Sequence, residues 1–224
     1  MTRVLYTGTK NASSWALRAW LALREQGIEF EERVVDIRVP QRFDNLARIR
    51  AFAPPGAVPV LVDGDAVIFD SLAIMEYASE IGPRPLWPAD PILRARARSL
   101  VAWVHGGLSN LCARLSFESA FYADKRAMTA GEIAESDRLC AVWESTLAQS
   151  GGPYLFGALS LADLAFVPVV CRIVSHRPTL DGWPLSQAWC ERVLARPAVR
   201  EWLDEARALP VVVLDDYKAE AQRT

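Results

Sequence analysis

The stretch GPRPLWPADP, residues 82–91, divides the chain into two halves with different patterns. Four of its ten residues are proline, which leaves little room for regular structure. Before this stretch, the apolar residues follow strand spacing in some segments and helix spacing in others, whereas after it only the helical spacing recurs. We therefore predict an α/β domain at 1–81, a linker at 82–91 and an all-helical domain at 92–224.

The first half predicts the element order β-α-β-α-β-β-α. The predicted strands cover residues 4–6 and 30–37, followed by two short strands on either side of Asp63-Gly64, a pair that favours a hairpin turn. The predicted helices cover residues 14–26, 41–52 and 71–81. Gly27, Pro54 and Gly82 follow these helices closely, as expected for residues that end a helix.

The second half predicts helices alone. Proline and glycine separate segments of helical periodicity, and we find no internal repeat and no low-complexity tract. The predicted helices cover residues 92–118, 131–149, 160–176, 184–195 and 197–207.

Charge and hydropathy exclude several classes of function. The formal net charge is −2 and the pI is near 5.8, so the chain lacks the basic excess that nucleic-acid binding requires. No apolar run is long enough to cross a bilayer, and no apolar signal core follows Arg3. We therefore predict a cytoplasmic protein that binds neither nucleic acid nor membrane.

The cysteines do not indicate a metal site. They are far apart, form no CxxC pair, and have only two histidines as possible partners. They are Cys112, Cys140, Cys171 and Cys190. We expect reduced thiols in a reducing compartment, no disulfide framework and no bound metal.

Small polar residues mark the junction between the first strand and the first helix, in the segment TGTKNASSW at 7–15. Asn11 or Ser13 could cap the helix, or Asn11, Ser13 and Ser14 could donate to an anion held at its positive end. If that anion is a thiolate, the site must make its thiol easier to ionise. Lowering a thiol pKa by about 2 units requires roughly 2.7 kcal/mol. One hydrogen bond to an anion supplies ~1.5–3 kcal/mol and the helix dipole another ~0.3–1 kcal/mol, so no protein cysteine is needed.

Two dipeptides further along could bind a ligand. Val58-Pro59 opens a strand, either with an ordinary trans bond or with a cis bond that presents the backbone of Val58 to an extended peptide. Asp70-Ser71 precedes the third helix, where either residue could be the N-cap. The same pair could instead bind an ammonium group and a carboxylate, as in an amino-acid zwitterion.

Three segments together resemble cytosolic glutathione S-transferases, especially serine-type, zeta-like bacterial members. GAVPVLVDGDAVIFDSLAIMEYASE is similar to the family's glutathione-site segment, and SSWALRAWLALREQGIEFEE to its first helix. GALSLADLAFVPVV resembles the buried Ser-x-x-Asp capping box of its helical domain, here Ser160 and Asp163. The resemblance covers nearly the whole chain and implies a thioredoxin-like N-terminal domain, an all-helical C-terminal domain and a homodimer.

The resemblance also implies a binding mode for glutathione as co-substrate. Val58 would bond its cysteinyl unit through the backbone, next to a cis Pro59. Asp70 and Ser71 would hold its γ-glutamyl end. Where the family often has a basic or amide residue before Val-Pro, this chain has glycine and alanine, so we expect either weak glutathione binding or a substitute at the glycine end, such as Arg42.

The residue that activates the thiol is predicted less directly. The zeta-type serine position falls on Asn11, whereas Ser13 carries a hydroxyl two residues later. We predict Ser13 first, then Asn11, then Ser14.

The electrophile would contact the first helix of the C-terminal domain. The residues predicted there are Trp103, His105, Leu108, Leu111 and Cys112, and the Gly106-Gly107 pair could allow a close approach. The alternative interpretation is that the apolar residues among these are ordinary core and that the histidine is structural.

The predicted function is glutathione transfer to a hydrophobic electrophile, in a detoxification role. The first alternative is a glutathione-dependent cis-trans isomerase of the zeta, maleylacetoacetate isomerase kind. The second is a non-catalytic binding or scaffold protein on the same fold.

Overall fold

The computed structural model describes residues 3–106, 108–215 and 217–218, without the side chains of residues 109 and 110. The chain forms two compact units. The first extends to Pro85 and includes Glu201–Leu209, and the second comprises Leu86–Arg200 and the residues from Pro210 onward. The domain boundaries predicted from the sequence stay a prediction, and they differ from these units mainly in the placement of Glu201–Leu209.

The first unit contains a four-stranded mixed sheet in the order β2-β1-β3-β4. The central strand β1 pairs parallel to β2 and antiparallel to β3, and β3 pairs antiparallel to β4. The strands are β1 (Arg3–Gly8), β2 (Glu31–Val35), β3 (Val60–Asp63) and β4 (Ala66–Phe69). Gly64, with a φ of +60°, makes the predicted turn between β3 and β4.

The helices of this unit complete the predicted order β-α-β-α-β-β-α. They are α1 (Ser14–Glu25), α2 (Arg42–Arg50) and α3 (Ser71–Ile81). Helix α1 packs against both β1 and α3. The core is apolar and fully excluded from solvent at Leu5, Leu17, Leu21, Leu61 and Ile74.

In its described residues the second unit has helices and no strand longer than an isolated bridge. Its elements are α4 (Pro91–Gly106), α5 (Ser109–Arg114), a 3-10 helix (Phe117–Phe121), α6 (Ala130–Ser150), α7 (Leu161–His176), α8 (Pro184–Leu194) and α9 (Pro197–Arg207), the last of which continues into the first unit. None of the helices in the described ranges combines the length and apolar content needed to cross a bilayer.

The prediction of one helix over 92–118 is wrong. Helix α4 ends at Gly106, and the shorter α5 and 3-10 helix follow. Two consecutive glycines stand at this point in the sequence, and each costs a helix interior about 0.5–1 kcal/mol relative to alanine. The apolar periodicity continues through the glycines, which is why the pattern alone did not reveal the break.

The predicted capping box starts α7. Asp163 is fully buried and accepts from the backbone N–H and the hydroxyl of Ser160, at 2.8 and 2.7 Å. Its second oxygen accepts from the N–H of Leu155 at 3.0 Å and from the indole of Trp189 at 2.9 Å. Burial raises the pKa of Asp163, and these four donors act in the opposite direction. One carboxylate therefore joins the start of α7, the preceding loop and α8.

Candidate active site

The loop between β1 and α1 places Ser13 at the positive end of α1. Ser13 is the N-cap residue and is only 4% exposed. Its backbone N–H donates to the carbonyl of Thr9 at 2.9 Å, but its side chain makes no capping hydrogen bond. A Cβ added at Gly8 would lie 2.7 Å from the Ser13 hydroxyl, so the glycine makes room for it. The capping alternative is therefore not realised at this residue.

Asn11 lies in the same loop and is fully buried. Its side-chain oxygen accepts from the Arg38 guanidinium at 2.5 Å, which fixes the orientation of the amide. Ser14 is the first residue of α1 and is partly buried. The three residues predicted for thiol activation thus lie together around one helix start, and Ser13 alone among them is the N-cap.

The loop is anchored to the segment after β2. The hydroxyl of Thr9 donates to the Asp36 carboxylate at 3.0 Å and accepts from the N–H of Ile37 at 3.1 Å. Together with the Asn11–Arg38 bond, these contacts hold two separate points of the loop. The start of α1 is therefore a fixed feature of the first unit.

Val58 and Pro59 precede β3 and are joined by a cis peptide bond, as the resemblance implied. The ladder between β1 and β3 ends at the pair Tyr6 and Val60. Val58 therefore lies beyond the paired residues of its own sheet, at a position where its backbone can bond an added strand.

The sequence left open whether Asp70 and Ser71 cap helix α3 or bind a ligand, and the structure gives the two residues different surroundings. Asp70 is the N-cap of α3, and its carboxylate accepts from the N–H of Leu72 at 2.7 Å. Ser71 is 2% exposed, and within the described residues its hydroxyl has no hydrogen-bond partner. Buried polar atoms are nearly always paired, so an unpaired hydroxyl at a helix start indicates a ligand site.

Asp70 also has an unusual backbone. Its φ is +74°, which makes it the one non-glycine residue with positive φ in the described part of the chain. Such a conformation costs about 1–3 kcal/mol at a non-glycine residue and is concentrated at functional sites. This second observation, independent of the Ser71 hydroxyl, marks the same point of the first unit.

A cation not predicted from the sequence lies close to the Val58 segment. Arg42, the predicted substitute, is exposed at the first position of α2. Arg50, at the other end of α2, packs against Gly56, where an added Cβ would lie 2.7 Å from its Nε. Gly56 comes two residues before Val58 and has a φ of +58°. A signal existed in the sequence, because an arginine near the end of a helix precedes the Pro-Pro-Gly turn by only a few residues.

The residues predicted to contact the electrophile belong to the second unit and differ in exposure. Trp103, His105 and Cys112 are partly buried, and the guanidinium of Arg138 lies 5.4 Å from the Trp103 ring. Leu108 is 2% exposed and Leu111 is fully buried, as the core alternative expected.

The space beside Gly106 is open among the described residues. No atom of the described chain lies within 4 Å of a Cβ added at Gly106, and Gly107 is outside the described residues. A groove in the second unit contains none of the predicted residues. It is lined by Leu93, Arg96, Thr146, Gln149, Ser150, Leu155 and Phe156.

Comparison with known proteins decides the family. Residues 12–81 match the model of the glutathione S-transferase N-terminal domain, and residues 113–206 match that of the C-terminal domain. A Caenorhabditis elegans protein named "Probable maleylacetoacetate isomerase" is 33% identical over 186 residues, which cover 81% of this chain and 83% of that protein. The chain belongs to the glutathione S-transferase family.

Solved structures agree with the fold of this transferase. A Burkholderia glutathione transferase homolog with bound glutathione has a TM-score of 0.70 at 24% identity, covering 93% of this chain and 100% of that one. The Drosophila melanogaster isozyme E7 has a TM-score of 0.73 at 21% identity, covering 99% and 96%. The predicted family, fold class and enzyme class, glutathione S-transferase, are confirmed.

Proposed function

We propose that this transferase binds glutathione in an extended form along the first unit, from Asp70-Ser71 past Val58 to the start of α1. The Ser71 hydroxyl, which is buried and has no hydrogen-bond partner within the described residues, carries this proposal. The α-carboxylate of the γ-glutamyl end would accept from it, and the Asp70 carboxylate would face the α-ammonium group. The backbone of Val58 would bond the cysteinyl unit in the manner of an added strand.

The thiol would then lie over the start of α1, where Ser13 is the first candidate to stabilise it as a thiolate. The Ser13 hydroxyl makes no capping bond, so a donation to sulfur would not remove a helix contact. One such bond supplies ~1.5–3 kcal/mol, which is enough to lower the thiol pKa by about 1–2 units. Asn11 and Ser14 are the next candidates, and Asn11 is held in place by Arg38.

The reaction is nucleophilic attack by this thiolate on a hydrophobic electrophile. The sulfur lone pair forms the new S–C bond, and the leaving group departs with the electron pair of the bond that breaks. The protein has only to stabilise an anion and align two reactants, which its own residues can do. Contacts for the electrophile in the second unit would be Trp103, His105 and Cys112, which are partly exposed, whereas the burial of Leu108 favours a core role for that residue.

A second function, glutathione-dependent cis-trans isomerisation, is favoured by one specific observation. The Caenorhabditis elegans relative at 33% identity carries an isomerase name. In that reaction the thiolate adds to a carbon–carbon double bond, which becomes a single bond. Rotation about this single bond and loss of glutathione then re-form the double bond in the other configuration, and glutathione is recovered unchanged. Both reactions use the same thiolate, so the two proposals share the site and differ in whether the S–C bond persists.

We also propose a cytoplasmic homodimer that acts in detoxification. Apolar side chains on β4 and at the end of α3 are more than a third exposed, namely Val67, Phe69 and Ile81. An apolar surface of this kind suits contact with a second copy of the chain. Sedimentation velocity at several protein concentrations tests this part of the proposal independently of activity.

Calorimetry with glutathione, followed by product analysis, tests the main proposal. We expect saturable binding of glutathione and also of S-methylglutathione, which has no thiol to ionise. With an activated aryl chloride, mass spectrometry should find a thioether and an equal loss of free glutathione. With a cis-enedione acid, unchanged total glutathione together with trans product would identify the isomerase instead. No binding at millimolar glutathione would exclude both.

A further inference from the structure

Lys10 is a buried lysine in the loop that leads to Ser13. It is 4% exposed and lies three positions before Ser13. Its ammonium group pairs with Glu32 at 2.9 Å and with Glu205 at 2.7 Å. Because buried lysines are rare unless paired, two carboxylates from distant parts of the chain fix this side chain in place.

Two tryptophan rings enclose the same ammonium group. Its nitrogen lies 5.2 Å from the ring centre of Trp20 in α1 and 4.8 Å from that of Trp202 in α9. The two rings also contact each other edge to face, at 5.5 Å between centres. Arg24 is a further charge near this cluster, since it lies over the Trp20 ring and pairs with Glu201.

Trp202 holds the main chain of Lys10 as well as its charge. Its indole N–H donates to the Lys10 carbonyl at 3.0 Å, and the Trp202 side chain is fully buried. Glu205 lies three residues further along α9, so both side chains project from one face of that helix. The segment Glu201–Leu209 therefore binds Lys10 at two separate groups, the backbone carbonyl and the side-chain ammonium.

The geometry of the loop connects Lys10 to Ser13. The N–H groups of Ala12 and Ser13 both donate to the Thr9 carbonyl, at 2.8 and 2.9 Å. Lys10 lies inside the turn that these two bonds close, so a displaced Lys10 backbone displaces the start of α1. A misplacement of about 1 Å can cost a factor of about 10² in rate when reacting groups must be aligned.

We propose that Glu201–Leu209 is a positioning element for the active-site loop, and that Trp202 and Glu205 act through Lys10 to place the Ser13 hydroxyl. This inference rests on the proposed role of Ser13 in stabilising the thiolate. It assigns no contact with glutathione to Lys10, Trp202 or Glu205. Their effect is on the position of the donor.

The test is the ultraviolet titration of the glutathione thiolate on the enzyme. Trp202→Phe keeps an aromatic ring but removes the indole N–H together with the volume of the five-membered ring, at a fully buried site. We expect the titration midpoint to rise by about 0.5–1 pH unit, with kcat/KM lowered about 3- to 10-fold at neutral pH. Calorimetric binding of S-methylglutathione should change less than twofold, because that ligand has no thiol to ionise.

Glu205→Gln is the second variant, and it remains informative if Trp202→Phe does not fold. The Glu205 side chain is 52% exposed, so the substitution leaves the core intact. Loss of its negative charge would by itself lower the pKa of a nearby thiol, whereas loosening of the loop raises it. A raised midpoint therefore supports positioning, and a lowered or unchanged midpoint contradicts it.

Glu201→Gln is the matched control. The Arg24–Glu201 pair also joins α1 to the same segment, but both side chains are more than 40% exposed and neither residue belongs to the β1–α1 loop. We expect an unchanged midpoint. An equal rise in the midpoint of Glu201→Gln would mean that general loosening causes the effect, which would overturn the inference. A folded Trp202→Phe protein with the midpoint of the wild type would also overturn it.

Ser13→Ala, titrated in parallel, separates the two proposals. If Ser13→Ala leaves the midpoint unchanged, the assignment of Ser13 fails, and the other variants still decide whether the segment positions the loop. If Ser13→Ala raises the midpoint and Trp202→Phe does not, the role of Ser13 stands and the positioning role fails.

Discussion

The indole N–H of Trp202 donates to the carbonyl of Lys10 at 3.0 Å, joining residues that are 192 positions apart. This bond places a turn of α9 in the same compact unit as the β1–α1 loop. The N-terminal unit is therefore completed by residues from near the other end of the chain.

Ser13→Ala should lower turnover far more than it lowers glutathione binding. The hydroxyl is expected to donate to an anion in the reacting complex, and such a bond contributes ~1.5–3 kcal/mol, or about 10- to 150-fold in kcat/KM. Steady-state kinetics and calorimetry on the same preparation provide the comparison. Ser14→Ala is the control next in sequence, and equal losses in the two variants would contradict the assignment to Ser13.

Ser71→Ala should weaken glutathione binding without weakening the fold. Its hydroxyl is buried and unpartnered within the described residues, so its removal takes away no protein hydrogen bond. We expect the Kd to rise about tenfold, while the free energy of unfolding stays the same or increases slightly. Calorimetry and urea unfolding measure the two effects separately.

Asp70→Asn is the companion control for the same helix start. Asparagine caps helices about as well as aspartate, so the stability of α3 should hold. Loss of the charge should still weaken binding of the glutathione α-ammonium group. A loss of stability as large as the loss of affinity would show that Asp70 acts through the cap instead.

Arg50→Ala should remove the preference for glutathione over γ-glutamylcysteine, which lacks the terminal glycine. Arg50 packs against Gly56, two residues before Val58, and so its guanidinium is well placed for a terminal carboxylate. We expect the wild type to bind glutathione more tightly than γ-glutamylcysteine, and the variant to bind the two nearly equally. Arg42→Ala is the comparison. If only that variant binds glutathione and γ-glutamylcysteine equally, then Arg42, as predicted from the sequence, and not Arg50 binds the glycine end.

The sequence predicted those elements whose ends carry strong local signals. Helix α3 has the predicted limits Ser71–Ile81, because a capping residue precedes it and glycine and proline follow it. Helix α9 likewise begins at Pro197, and proline suits the first turn of a helix but not its interior. Local chemistry is sufficient where backbone donors and acceptors must be satisfied by neighbours in sequence.

The parts that sequence reasoning missed depend on distant residues. The pattern of Lys10 gives no sign that it is buried, since Glu32 and Glu205 reach it only in the folded chain. The contact of Arg50 with Gly56 depends on the path of the Pro-Pro-Gly turn, which spacing does not fix. Of the candidate site, the residue types and their order along the chain could be predicted, but not the choice between Asp70 and Ser71 as cap or which arginine lies beside Gly56.

Asp163→Ala should destabilise the second unit strongly. The substitution leaves four donors without an acceptor, and each buried unsatisfied group costs about 1–3 kcal/mol. We expect a loss of at least about 3 kcal/mol in the free energy of unfolding, measured with urea. Asp137→Ala is the control, because Asp137 accepts from Arg177 and Trp183 at a partly exposed site and should cost about 1 kcal/mol or less.

Acidification should destabilise the contact between His176 and Tyr217. Nδ1 of His176 lies 2.8 Å from the Arg172 carbonyl, which can only accept, so Nδ1 carries the proton and Nε2 accepts from the Tyr217 hydroxyl at 3.0 Å. Burial lowers the pKa of His176, opposed by the hydrogen bond to the Arg172 carbonyl and by Glu132, and helped by the charges of Lys125 and Arg126. The contact therefore depends on a neutral imidazole.

The direction of the pH effect follows from this lowered pKa. Between the folded value and the unfolded value near 6.5, the unfolded chain binds more protons, so stability is present above about pH 6.5 and falls as the pH decreases toward the folded pKa. The slope for one proton is at most about 1.4 kcal/mol per pH unit.

His176→Gln should flatten the dependence of the free energy of unfolding between pH 7.5 and 5.5, measured by urea titration at each pH. His105→Gln replaces the other histidine of the chain, and an equal flattening in that variant would show that the effect is not specific to His176. A steep slope that survives in His176→Gln would assign the acid sensitivity to other groups.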